Sequence, residues 1–108
     1  MTSFDDRERG FEGKFKHDQE LGFKISARRN KLLGLWAARE MKLPAAEHDA
    51  YAKSVVMADL EKPGDDDVVD KLLADFKAKG IEMTDHRIRH QLTEFREIAR
   101  QQVMSETK

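Results

Sequence analysis

The chain has 108 residues, of which 38% are charged and 39% apolar, with 20 basic and 21 acidic side chains and no cysteine. That length fits one domain with a modest core, and the composition is too apolar for a disordered chain and too charged for a membrane protein. The near-neutral balance counts against a nucleic-acid module, and the missing thiols exclude disulfides and thiolate metal sites and suit a reducing cytoplasm.

The opening residues, Met1 to Arg9, hold no apolar run, so no signal peptide is expected. No stretch approaches the ~20 apolar residues of a membrane span. Nothing alternates in the manner of a strand, whereas apolar residues recur at helical spacing in four segments.

The first predicted helix runs from about Phe4 to about Met41. Ser3 with Asp6 resembles a capping box, and Asp5, Asp6 and Glu8 suit the positive end of a helix. Phe4, Phe11, Phe15, Leu21, Ile25, Leu32, Leu33 and Trp36 project to one side. Pro44 limits this helix, because the residue before a proline avoids the helical region. The second helix is expected over Ala45–Leu60. Tyr51, Val55, Val56, Met57 and Leu60 lie on several of its sides, so it is expected to sit inside. Pro63-Gly64 marks a turn. The third opens at Asp65 as cap and runs to about Lys79, with Val68, Val69, Leu72, Leu73 and Phe76 as its stripe and Gly80 as its stop. The fourth is capped by Thr84 and runs to about Met104, with Ile88, Leu92, Phe95, Ala99 and Val103 inward. Short connections make successive helices antiparallel neighbours. The expected fold is all-α, a four-helix bundle.

The first helix does not fit a plain bundle. Forty helical residues span about 60 Å, whereas a folded body of this size has a radius of gyration of about 13 Å. The N-terminal half must therefore protrude, fold back or be disordered. Gly10, Gly13 and Gly22 weaken it as a free helix, by about 1 kcal/mol each relative to Ala. Yet three of the six phenylalanines, Phe4, Phe11 and Phe15, lie there on one face, beside Arg7, Arg9, Lys14 and Lys16. Either these rings dock onto the chain's own bundle or the segment folds into a partner's groove.

Charge is distributed in blocks. Residues 21–42 hold six bases and one acid, and residues 43–70 hold eight acids and two bases. The basic run Arg28, Arg29, Lys31 can meet phosphates or an acidic partner, or pair with the acidic second and third helices. No phosphate-loop motif accompanies it. His86 and His90 stand at i, i+4 without a third ligand or a zincin glutamate, and His17 and His48 are isolated, so no metal is expected. Asp65-Asp66-Asp67 lacks the remaining ligands of a calcium loop and reads as a helix-start cluster. Trp36 with Leu32, Leu33 and Leu35 reads as core. Phe23 falls off the stripe and faces either solvent or a neighbouring helix.

Residues 3–18, SFDDRERGFEGKFKHD, and residues 27–38, ARRNKLLGLWAA, form two long blocks, followed by YAKSVV at residues 51–56 and PGDDDV at residues 63–68. Together they resemble the zeta subunit of alphaproteobacterial F-type ATP synthases. The resemblance spans the whole chain and is strongest over residues 1–40. It implies a four-helix bundle that inhibits ATP hydrolysis, with a mobile N-terminal segment entering the catalytic head between catalytic and non-catalytic subunits near the rotor shaft. The sequence departs from that pattern at Gly10, Gly13 and Gly22, where Ala, Asn and a long basic residue are expected.

Residues 1–19 are accordingly expected to be a mobile or protruding inhibitory segment and residues 20–108 the bundle. Phe4, Phe11 and Phe15 would be its desolvated anchors, with Arg7, Arg9 and Lys14 meeting carboxylates on the head. Arg28, Arg29 and Lys31 would be the place for weak ADP or ATP binding, a property the resemblance implies. No nucleophile–base pair or phosphate cradle points to an enzyme. The chain is expected to be a free monomer in the cytoplasm, peripheral to the inner membrane through the ATP synthase, with no nucleic-acid partner, no membrane insertion and no obligate cofactor. A helical adaptor is the alternative.

Overall fold

The computed structural model describes the backbone of residues 3–62 and 64–106 and the side chains of residues 18–62 and 64–106. Four α-helices follow one another: α1 (Ser3–Glu40), α2 (His48–Glu61), α3 (Asp65–Ala78) and α4 (Asp85–Glu106), with a 3₁₀ turn at Ala45–Glu47. Among the described residues there is no strand, and the fold is the expected all-α bundle. The side chains of Phe4, Phe11 and Phe15, and the Ser3 capping box, lie outside the described residues.

Each connection is explained by local chemistry. At the end of α1 the Leu43 amide donates to the Ala38 carbonyl at 3.0 Å and the Lys42 amide to Arg39 at 3.0 Å. This is the double closure of a Schellman end, and it places Lys42 at φ 57°, a left-handed conformation unusual for a residue with a side chain. Pro44 follows and cannot continue the helix. The His48 Nε2 group sits 2.8 Å from the Leu43 carbonyl and ties the same corner to α2. The first turn expected of the second helix, Ala45–Glu47, is 3₁₀ rather than α. Such tightened turns are common at helix starts.

The expected cap of the third helix is corrected by one residue. Gly64, at φ 139°, precedes α3, and no side chain caps it; Asp65 is already helical. Pro63 lies outside the described residues. At the far end of α3, Gly80 (φ 71°) lets its amide reach the Lys77 carbonyl and the Ile81 amide reach Phe76, both at 3.0 Å. Thr84 caps α4 as expected, its Oγ1 accepting from the Arg87 amide at 3.1 Å.

α1 packs on both α2 and α4, and α3 bridges α2 and α4. Leu33, Trp36, Val55, Val68, Val69, Leu72, Phe76 and Ile88 meet in the core, where the Trp36 and Phe76 rings lie 6.0 Å apart and tilted by 60°, a favoured aromatic geometry. On the α1 stripe, Leu33 and Trp36 are buried while Leu21, Ile25 and Leu32 are half-buried. α2 does not sit inside. Only Ala52 and Val55 are buried, and Met57 and Leu60 are 46% and 47% exposed. The helix lays one face on α1 and α3 and gives the rest to solvent. The described molecule measures 66 × 25 × 21 Å, and its length is that of α1.

Candidate functional site

Burial along α1 rises gradually, through the half-buried Leu21, Ile25, Ser26, Ala27 and Arg28. Asp18, Gln19, Glu20, Gly22, Phe23 and Lys24 are exposed, whereas Arg29 and Asn30 are buried. The bundle therefore encloses α1 fully from Arg29 onward and holds it on one side just before, where Arg28 bonds to α4. The residues expected to inhibit, Phe4, Arg7, Arg9, Phe11, Lys14 and Phe15, belong to the half of the helix that precedes this grip, and their side chains lie outside the described residues, as does that of His17.

The basic run separates into three environments, because successive helical residues are turned by about 100°. Arg28 points to α4. Its guanidinium donates to Gln102 Oε1 and Glu106 Oε2, both at 2.9 Å, and pairs with Glu106 Oε1 at 2.8 Å. The hydrogen bond from Arg28 holds the Glu106 carboxyl below the usual range, and the same bond raises the Arg28 guanidinium. Arg29 points to the α2–α3 corner. It is 5% exposed, donates from Nε and Nη2 to Asn30 Oδ1 at 3.1 and 3.0 Å, and pairs with Asp65 Oδ1 at 3.1 Å. Asn30, 1% exposed, passes the network on by donating to Asp59 Oδ2 at 3.0 Å. Asp59 in turn accepts weakly from the Gly64 amide at 3.4 Å. A buried cation is thus held by a half-exposed acid and a fully buried amide, a satisfied arrangement that locks the corner. Lys31 points to solvent on the α2 side. Pairing with the acidic helices therefore holds for Arg29 but not for Arg28, whose partners are on α4.

The other singled-out residues have structural surroundings. Asp66 pairs with Arg89 at 2.6 Å, and Arg89 also holds Asp85 at 2.7 Å. These hydrogen bonds, Asp85 first, raise the Arg89 guanidinium. His86 is exposed, and His90 lies 3.4 Å from Glu94. Phe23 is 59% exposed. With Lys24, Ala27, Arg28 and Lys31 of α1 it faces a groove of about 480 Å³, walled by Val56 of α2 and by Val103 and Glu106 of α4. The sequence left Phe23 unplaced; its signal was an aromatic off the apolar stripe, followed by Lys24. Nothing in the sequence singled out Asn30.

A small helical body that holds one helix much longer than its neighbours is the architecture of a helical interaction protein. The chain belongs to the ATPase inhibitor subunit zeta family, which matches residues 1–102. A protein solved by solution NMR is similar at 39% identity with a TM-score of 0.68, over 78% of this chain and 95% of that one. No curated protein matches. Family membership makes an F-type ATPase the partner and inhibition the role. Among the described residues no helix is long and apolar enough to cross a membrane.

Proposed function

We propose that this chain inhibits ATP hydrolysis by inserting residues 1–19 as a helical wedge at the interface between a catalytic and a non-catalytic subunit of the F-type ATPase head, beside the rotor shaft. Residues 20–108 form the body that carries it. The observation behind this reading is that α1 runs unbroken from Ser3 to Glu40 while full burial is reached only at Arg29, after partial burial at Leu21 and over residues 25–28. At 1.5 Å per residue, more than 35 Å of helix precedes the buried part. Phe4, Phe11 and Phe15 anchor the wedge in the cleft, and Arg7, Arg9 and Lys14 meet carboxylates around it. Such a wedge stops rotation sterically, without chemistry, so the chain is not an enzyme. It works as a monomer at the cytoplasmic face of the inner membrane, held there through the ATP synthase.

The test is a titration of full-length protein, and of a chain lacking residues 1–18, into the purified catalytic head while ATP hydrolysis is followed. Inhibition by the full chain alone supports the wedge. Inhibition by both moves the site to the bundle, and inhibition by neither removes the function.

A second reading, an adaptor with a low-affinity ADP or ATP site, is favoured by the exposed Phe23 ring beside Lys24, Arg28 and Lys31. Arg29 would take no part, since its guanidinium is turned to Asp65. Amide shifts over residues 23–31 on titration with ATP to millimolar concentration test it, and unchanged shifts dismiss it.

A further inference from the structure

The α1 surface just beyond the wedge carries a groove that the inhibitory mechanism does not use. Phe23, Lys24, Ala27, Arg28 and Lys31 fall at i, i+1, i+4, i+5 and i+8, which places them on one stripe of the helix. The groove extends at one end to a hollow shared by Gln19 and Glu20 with Phe23 and Lys24. At the other end it runs into one formed by Lys31 with Asp49, Lys53 and Val56. From Gln19 to Lys31 it follows α1 for about 18 Å, roughly three turns of a helix.

We propose that this groove docks an acidic, amphipathic helical segment of the ATPase head, giving the inhibitor a second foothold; the proposal rests on the inhibitor reading above. Charge supports it first. Arg28 is matched by Glu106, but Lys24, Lys31 and Lys53 have no ion-pair partner among the described residues. Of the acids nearby, Glu20 and Asp49 stand at the two ends, and Glu106 in the α4 wall is engaged by Arg28 and feels the charge of Lys24. Around the apolar surfaces of Phe23, Ala27 and Val56 the groove therefore carries Lys24, Arg28 and Lys31 against the single acid Glu106. A helix with apolar residues on one face and carboxylates on its flanks complements that pattern.

Continuity supports it second. The wedge and the groove lie on one unbroken helix, so a head that holds residues 1–19 stands next to Phe23. Two contacts on one rigid element reinforce each other through high effective concentration. A nucleotide fits less well, because Arg28, between the two lysines, is engaged by Gln102 and Glu106, and Lys24 and Lys31 are about 10 Å apart along the axis, too far to clasp one diphosphate.

The test uses full-length chains on the immobilised catalytic head. Against wild type stand a Lys24→Glu/Lys31→Glu/Lys53→Glu variant and the corresponding Gln variant, each first checked for helicity by circular dichroism. The Glu variant should dissociate at least tenfold faster, with complete inhibition still reached at saturation, and the Gln variant should lie between the two. Should the Glu variant fail to fold, the Gln variant decides. Wild-type dissociation rates in the folded variants overturn the proposal alone. Failure of wild type to inhibit overturns the parent reading and this one with it. A Phe23→p-benzoylphenylalanine chain, photolysed on the head, should cross-link to an acidic helical stretch of a head subunit. A cross-link to the chain's own residues 1–17, or to a second copy, overturns the proposal.

Discussion

Gly34 on α1 and Ala52 on α2 bring their helices so close that a Cβ on Gly34 would lie 2.6 Å from the Ala52 Cα and 3.2 Å from Val55 Cγ2. The first neighbour is backbone and cannot swing away. Gly34→Ala gains about 1 kcal/mol of helix propensity but must push α2 outward, which costs about 1–3 kcal/mol and opens the packing around Val55. The same substitution at Gly22 meets nothing within 4 Å and keeps only the propensity gain. Thermal melts should therefore move in opposite directions, Gly34→Ala downward and Gly22→Ala upward. Melting temperatures that rise for both would show that the close approach is not limiting.

Lys42 gives a stabilising prediction. Its φ of 57° costs a side-chain-bearing residue about 1–2 kcal/mol. Lys42→Gly removes that cost and adds about 0.5–1 kcal/mol of unfolded-state entropy against it. A net gain of about 0.5–1 kcal/mol should appear as a rise of a few degrees in melting temperature. No rise would mean that the lysine conformation carries no penalty here.

The network around Asn30 should be the least forgiving polar site. Asn30→Ala strips Arg29 and Asp59 of a shared partner inside the bundle, and a loss of about 2–3 kcal/mol is expected from leaving such groups unmatched. Arg29→Lys should fall close behind. Two guanidinium nitrogens converge on Asn30 Oδ1 and one also reaches Asp65, which one ammonium cannot reproduce. Urea unfolding measures both, and variants within 0.5 kcal/mol of wild type would show the network to be ornamental.

Asn30 also marks where the sequence stops being legible. The four helices and most of their ends were readable, because apolar spacing, Pro44, Gly80 and Thr84 act locally. The family was readable from two near-literal blocks. The α2 face was not: a helix apolar on several sides looks internal, and only its partners reveal that Met57 and Leu60 stay half exposed. Nor could the basic run be resolved, since Arg28, Arg29 and Lys31 look alike in a string and diverge only once helical rotation and the neighbours on α3 and α4 are set. Asp65 suits a cap by its residue type. Gly64 takes that position through its positive φ, and the Asp65 carboxylate serves Arg29 instead.

Tyr51 is the only tyrosine, so phenolate absorbance reports on it alone. Burial, and then the bond its hydroxyl donates to Asp75 at 2.8 Å, hold its pKa well above the ordinary value. A raised folded pKa contributes stability that is complete below about pH 10, where a free tyrosine titrates, and is lost as the pH rises further. The native protein should show little phenolate signal at pH 11, and unfolding should release it in one step. Tyr51→Phe should flatten the alkaline loss of stability relative to wild type. A phenolate titration centred near pH 10 in the folded protein would contradict this.

The wedge makes a sharper demand than family membership does, because it assigns the inhibition to particular rings. If Phe11 and Phe15 are desolvated in the head's cleft, truncating either removes at least about 2 kcal/mol of binding, as for aromatic anchors generally. That is more than a tenfold rise in the half-inhibitory concentration. Both residues precede the part of α1 gripped by the bundle, so Phe11→Ala and Phe15→Ala should leave the melting temperature where it is. Reduced inhibition with unchanged melting places the rings in the partner. A fall in melting temperature would instead dock them on the chain's own bundle. Equal inhibition by both variants and wild type would leave the family role standing with its inhibitory contact elsewhere on the molecule.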